Sequence, residues 1–201
     1  SMQADKKKKD VEELVEKAVY ISRLPQYKPS EGDLNNTTDS SKNTGNAMLD
    51  ESDKELVNKI PLTPAEKEAV ALGDKVDVYL EVKDISATVS ATDKALVTEK
   101  LENVNDKLAM YIDVNLYKKV GANEAQKITE TNGLVTIMFK VPENLLNNDS
   151  TIKRVYKIVR VHEGVAEIID AEFNAQAKTI SFETDRFSTY ALIYNDTTEL
   201  N

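Results

Sequence analysis

Apolar positions in this chain keep a helical spacing twice near its start, lose it over a polar stretch, and then alternate for most of the remaining length. From residue 10 to 24 they fall at Val11, Leu14, Val15, Ala18 and Ile21, which is one face of a helix. Asp10 is placed to cap that helix, Glu13 stands three residues on as in a capping box, and Pro25 ends it. The pattern then disappears. Residues 26–53, QYKPSEGDLNNTTDSSKNTGNAMLDESD, are rich in Ser, Thr, Asn, Asp and Gly. Such a segment buries too little apolar surface to offset its ordering entropy, and it reads as a linker or a long surface loop.

Periodicity returns near Leu56. In LTPAEKEAVALG, residues 62–73, Thr63 is a cap, Pro64 the first helical residue, Glu66 the partner in a capping box and Gly73 the stop. VDVYLEV follows at 76–82, with Val76, Val78, Leu80 and Val82 on one face and Asp77, Tyr79 and Glu81 on the other, as in a half-buried strand. A second short helix is predicted over 92–108 from Leu96, Val97, Leu101, Val104 and Leu108, with Ser90 and Asp93 as its box.

Beyond it nearly everything reads as strand. MYIDVNLYKKV puts Met110, Ile112, Val114 and Leu116 on one face. LVTIMFKV does the same with Val135, Ile137, Phe139 and Val141, after an Asn132-Gly133 turn. RVYKIVRVHEGVAEIID is two strands joined near His162-Glu163-Gly164, and TISFET and FSTYALIY complete the set. Short strands with turn signals between them predict a mainly β fold, an antiparallel β-sandwich with two short helices, preceded by an N-terminal helix and a polar linker. The division expected is 1–53 for helix and linker and 54–201 for the sandwich.

Composition narrows the function. The chain has 201 residues, 40% of them hydrophobic, and 26 basic against 35 acidic residues leave a net charge of −9. Its basic run, Lys6 to Lys9, is too short to track a phosphate backbone, so nucleic acid is not an expected partner. Cysteine is absent, which removes thiolate chemistry, disulfides and cysteine-bound zinc. No run of about 18 apolar residues predicts membrane insertion. Neither is there a signal-peptide pattern, and the opening Ser1-Met2 reads as a cloning remnant on a piece of a longer protein.

Candidate chemistry is sparse. His162 is the one histidine; beside a hairpin glycine it reads as a solvated turn residue. Ser188 lacks the elbow motif of an exposed nucleophile, so a Ser-His-acid triad is not expected. Glu163, Glu167, Asp170 and Glu172 fall where alternating strands point outward, which argues against a catalytic carboxylate pair. Asn147, Asn148 and Asp149 cluster oxygen donors, yet without the spacing of a calcium loop they read as a plain turn. No catalytic residue, metal site or cofactor is expected. Tyr79, Tyr111 and Tyr117 each stand opposite the apolar face of their strand. An exposed tyrosine row there would bind glycan; cross-strand pairing that stabilises the sheet is the weightier reading. A Lys-Asn isopeptide crosslink would need a buried acid beside both partners, and no spacing identifies such a trio.

The stretches LVNKIPLTPAEKEAVALGDKVDVYLEVKDIS, MYIDVNLYKKVG, ITETNGLVTIMFKVPENLL, YKIVRVHEGVAEIID and TISFETDRFSTYALIYND resemble a β-sandwich module of large surface and secreted multidomain proteins of Gram-positive anaerobes. The likeness runs from about residue 54 to 196. FSTYAL also resembles the closing strand of ZU5-type sandwiches. The resemblance implies an extracellular, cell-surface or cell-wall setting and a non-catalytic spacer or adhesion role. Its implied partners are other modules of the parent chain, and host or cell-wall glycan or protein. It also implies that Phe187, Tyr190, Leu192 and Tyr194 pack the final strand, with Asp185-Arg186 in the turn before it.

Overall fold

The computed structural model describes residues 47–51, 53–56 and 58–198; the helix expected over 10–24 and most of the polar linker lie outside the described residues. In chain order the elements are β1 (Met48–Leu49), α1 (Asp53–Leu56), α2 (Pro64–Ala71), β2 (Val76–Asp84), α3 (Ala91–Glu99), β3 (Asp106–Val120), β4 (Gln126–Ile128) and β5 (Glu130–Lys140). A 3-10 turn (Glu143–Leu145) leads to β6 (Ile152–His162), β7 (Val165–Ile169), β8 (Ala171–Asn174), β9 (Thr179–Arg186) and β10 (Thr189–Thr198).

The strands form two antiparallel sheets. One has the order β1-β5-β9-β8; the other runs β2-β3-β10-β6-β7, with β4 paired to β3. Alternation decides what lies between them. Val78, Leu80 and Val82 on β2, Ile112, Val114 and Leu116 on β3, and Ile158 on β6 face Ile137, Phe139, Ile180 and Phe182 of the other sheet in one apolar core. This is the sandwich that the period-two segments predict. β1 belongs to it too, pairing Met48 with Met138 and Leu49 with Ile137, so the packed unit starts upstream of the expected boundary at residue 54.

The larger sheet is covered on its other face as well. Val97 of α3 packs there against Tyr111, Val159, Val161, Ala191 and Ile193 in a second apolar cluster. Ser90 caps α3 by accepting from the Asp93 amide, as the sequence predicts. The helix ends at Glu99, however, well before the expected Leu108. Asn103 and Asp106 close a turn in which the Asn103 amide donates to the Asp106 carboxylate at 3.1 Å and the Asp106 amide donates to the Asn103 carbonyl at 2.9 Å. β3 begins there, and Val104 is left almost wholly exposed. Asn132-Gly133 likewise lies inside β5 as an irregularity in its ladder with β9, not ahead of the strand; Gly133 has φ +139, a value side chains disfavour.

Helix α2 is tied in by its own cap. Thr63 Oγ1 accepts from the Glu66 amide, and the Thr63 amide donates to Glu66 Oε1 at 2.8 Å. The same carboxylate accepts from Lys118 Nζ of β3 at 2.6 Å, and Lys118 also donates to the Pro61 carbonyl at 2.7 Å. A lysine on the core face of a strand is thereby ion-paired and twice hydrogen-bonded rather than stranded. Burial pushes the Glu66 carboxyl up, but the Lys118 and Thr63 hydrogen bonds and the lysine charge outweigh it, and the net shift is downward. A lowered folded pKa stabilises the protein fully above the unfolded value of 4.5, and that contribution is lost as pH falls through the lower folded value. Glu66→Gln should therefore cost about 1.5–3 kcal/mol at pH 7. The gap from the parent protein should close below about pH 4. Urea denaturation at pH 7 and pH 3 measures both; a gap unchanged with pH would sink the ion-pair account.

Candidate functional site

β3 and β6 bring the buried Lys118, Arg160 and His162 to one end of the sandwich, the end where β10 begins, and Thr184 of β9 meets Arg160 there. β6 carries Tyr156 and Ile158 into the core and then, on the same face, Arg160 and His162. Arg160 Nη1 donates to Thr184 Oγ1 at 3.0 Å and meets Asp185 at 3.3 Å; its Nη2 donates to Glu167 at 2.9 Å. Thr184 in turn contacts the Tyr190 hydroxyl at 2.6 Å, and that hydroxyl donates to the Arg186 carbonyl. Burial, above all, pushes the Tyr190 phenol well above its ordinary range.

His162 departs from its expected place. It is 8% exposed, because it is the last paired residue of β6, opposite Val165, and the turn proper is Glu163-Gly164. Both turn residues have positive φ, +50 and +77, the signature of a type I′ hairpin. His162 Nδ1 lies 3.4 Å from Ser188 Oγ, in the short connection between β9 and β10. Its Nε2 lies 3.6 Å from Glu130 Oε1, at the start of β5, and 3.8 Å from Glu163 Oε1. One donor atom from each of Glu130, His162 and Glu163 falls within 4.8 Å of the others, a grouping able to hold a metal.

Serine, histidine and acid are thus neighbours, which local spacing had argued against. Ser188 Oγ donates its proton to the Val161 carbonyl at 2.5 Å, away from the imidazole. Asp170 and Glu172 instead line an open groove of about 420 Å³ with Glu183, on the outside of the smaller sheet. Glu167 is held by Arg160. The Asn147-Asn148-Asp149 loop satisfies itself: Asn147 Nδ2 donates to the Asp149 and Ile152 carbonyls, and Asp149 Oδ1 accepts from Thr151. The two hydrogen bonds from Thr151 hold the Asp149 carboxyl below its usual range. Lys118 and the buried Asn115 sit on opposite faces of β3, so they do not meet as an isopeptide pair.

The three tyrosines do not share a surface. Tyr79 and Tyr117 are directly opposite in register on β2 and β3, half-buried and stacked, with centroids 5.3 Å apart and planes at 18°. Tyr111, on the same face of β3, is 4% exposed because α3 and its flanking loop cover that part of the sheet. Burial raises the phenol of Tyr111, and of Tyr117, where Glu81 adds to it. Alternation placed all three on the non-core face correctly; only the position of α3 could tell which would be covered.

The fold and its polar end thus define an antiparallel β-sandwich with a helix on its outer face. Comparison of the chain with protein-family models, with curated proteins and with solved structures finds no match. Among the described residues no helix is long and apolar enough to cross a membrane.

If Tyr79 and Tyr117 stabilise the sheet as a cross-strand pair, a double-mutant cycle with Tyr79→Ala and Tyr117→Ala should give a coupling energy of about 0.5–1.5 kcal/mol. Chemical denaturation of the four proteins measures it, and additive losses would mean the stack is incidental.

Proposed function

We propose that the chain is a non-catalytic structural and interaction module of a large bacterial cell-surface or secreted protein, set among other modules of the same parent chain. The observation that best supports this is the position of the closing strand. β10 lies inside the larger sheet, paired over its whole length, Thr189–Thr198, with β6 and over Thr189–Asn195 with β3. Ladder hydrogen bonds run across the strand, so tension along β10 must shear both ladders together. Its side chains reinforce the clamp: Arg154 grips Asp196 with two bonds of 2.7 and 2.8 Å and lies 4.0 Å from the Tyr194 ring centroid. The resemblance of five stretches to a surface-protein module supports the extracellular setting.

Force spectroscopy on a tandem of the chain tests the load-bearing role. We expect one cooperative event releasing about 500 Å of contour length for residues 47–198. Arg154→Ala should lower the force of that event. Extension without a discrete event would overturn the reading.

Glycan binding is the second reading, and one observation favours it. The stacked Tyr79–Tyr117 pair is half-exposed on the outer face of the larger sheet, one pleat along from Glu81 and Asn115. A sugar hydroxyl is a donor, and sugar faces stack on aromatic rings. On a glycan array, binding that is lost in Tyr79→Ala and Tyr117→Ala would support it; no binding by the folded protein would remove it.

A further inference from the structure

We propose that Glu130, His162 and Glu163 form a site for a single first-row transition-metal dication of the zinc type, joining the two sheets at their polar end. The argument starts from one atom. His162 Nε2 is buried and has no hydrogen-bond partner, while its ring is more than nine-tenths enclosed. It points toward two carboxylates, at 3.6 Å from Glu130 and 3.8 Å from Glu163. Among the described residues neither carboxylate has another cationic group within ion-pair distance.

The tautomer follows from the other side of the ring. Ser188 Oγ gives its proton to the Val161 carbonyl, so it can offer His162 Nδ1 only a lone pair. Nδ1 is therefore the protonated nitrogen, and in the neutral ring Nε2 presents a lone pair. Three electron-rich atoms then converge on one point, an arrangement that favours a cation among them. A histidine ligand whose second nitrogen donates to a neighbouring oxygen is the usual arrangement around a metal.

The donor set selects the class of ion. One imidazole nitrogen and two carboxylate oxygens suit zinc and its neighbours in the first row, whereas calcium takes six to eight oxygens. Bond lengths of about 2.0–2.1 Å at a tetrahedral ion place ligand atoms about 3.4 Å apart. The two nitrogen–oxygen distances are already near that, and the Glu130 and Glu163 side chains, 56% and 81% exposed, are free to close the rest. Two carboxylates balance the charge of a dication, and a fourth position is left to solvent. Glu163 also occupies the first place of a type I′ turn, where Asn, Asp or Gly suits the backbone better.

Glu130 comes from the smaller sheet and His162 with Glu163 from the larger, so a bound ion acts as a tie between them. The full chain, stripped with a chelator, should bind one equivalent of Zn2+ in a calorimetric titration and melt at a higher temperature with it. Glu130→Gln and His162→Gln should each weaken binding more than tenfold, and Ser188→Ala by about 10–100-fold through loss of the ring's orientation. Glu163→Asn decides the matter independently of folding: the turn favours Asn, so the metal-free protein should melt no lower than the parent, yet lose Zn2+ binding. Glu143→Gln, at the opposite end of the sandwich, should bind as the parent does. Absence of saturable binding, or binding undiminished in Glu163→Asn and Glu130→Gln, overturns the proposal. If His162→Gln does not fold, the two exposed positions carry the test alone.

Discussion

The architecture rests on a strand that is apolar on both sides. Along β10, Tyr190 and Leu192 enter the space between the sheets, while Ala191 and Ile193 face the other way, and all four are at most 2% exposed. A sheet with one wet face would not tolerate the second pair. α3 supplies the cover, with Val97 at its centre, and makes the molecule a helix on a sheet on a sheet. Two features follow from that cover: the burial of Tyr111 and the enclosure of Val159 and Val161.

The interlayer core is not apolar from end to end. β3 and β6 both run antiparallel to β10, and both bring a buried cation toward the end where β10 starts, Lys118 on one and Arg160 on the other. Each is reconciled with burial by partners from other elements: Glu66 and the Pro61 carbonyl for Lys118, and Thr184, Asp185 and Glu167 for Arg160. An unpaired charge there would cost several kcal/mol, so these contacts are a condition of closing the sandwich. His162 sits in the same polar end with its Nε2 unpaired, which makes it the exception among these groups.

Much of the fold was legible because its signals are local. The Thr63–Glu66 box, the alternation in β2, the Ser90 cap and the Glu163-Gly164 hairpin each depend on residues within a few positions of one another, and each formed as the spacing predicts. Where the reading failed, the deciding contact was distant or the local signal was equivocal. Leu101, Val104 and Leu108 continue a helical spacing by coincidence; the Asn103–Asp106 turn and the pull of a strand partner at Ile193 end the helix early. β1 is two residues inside a polar stretch, given strand form only by Met138 and Ile137 across from it.

Sequence alone therefore determined which residues face which side of each strand, where α2 and α3 begin, and that a sandwich was the economical way to bury the alternating faces. Periodicity and capping are properties of neighbours in the chain, and they survive without knowledge of the whole. Tertiary structure decided which of those faces stayed wet, that His162 would be buried rather than solvated, and that Glu130 would come to it from across the sandwich. The last two outcomes turn on Ser188 and Glu130, 26 and 32 positions from His162, whose meeting depends on how two sheets stack and not on any pattern that a single segment carries.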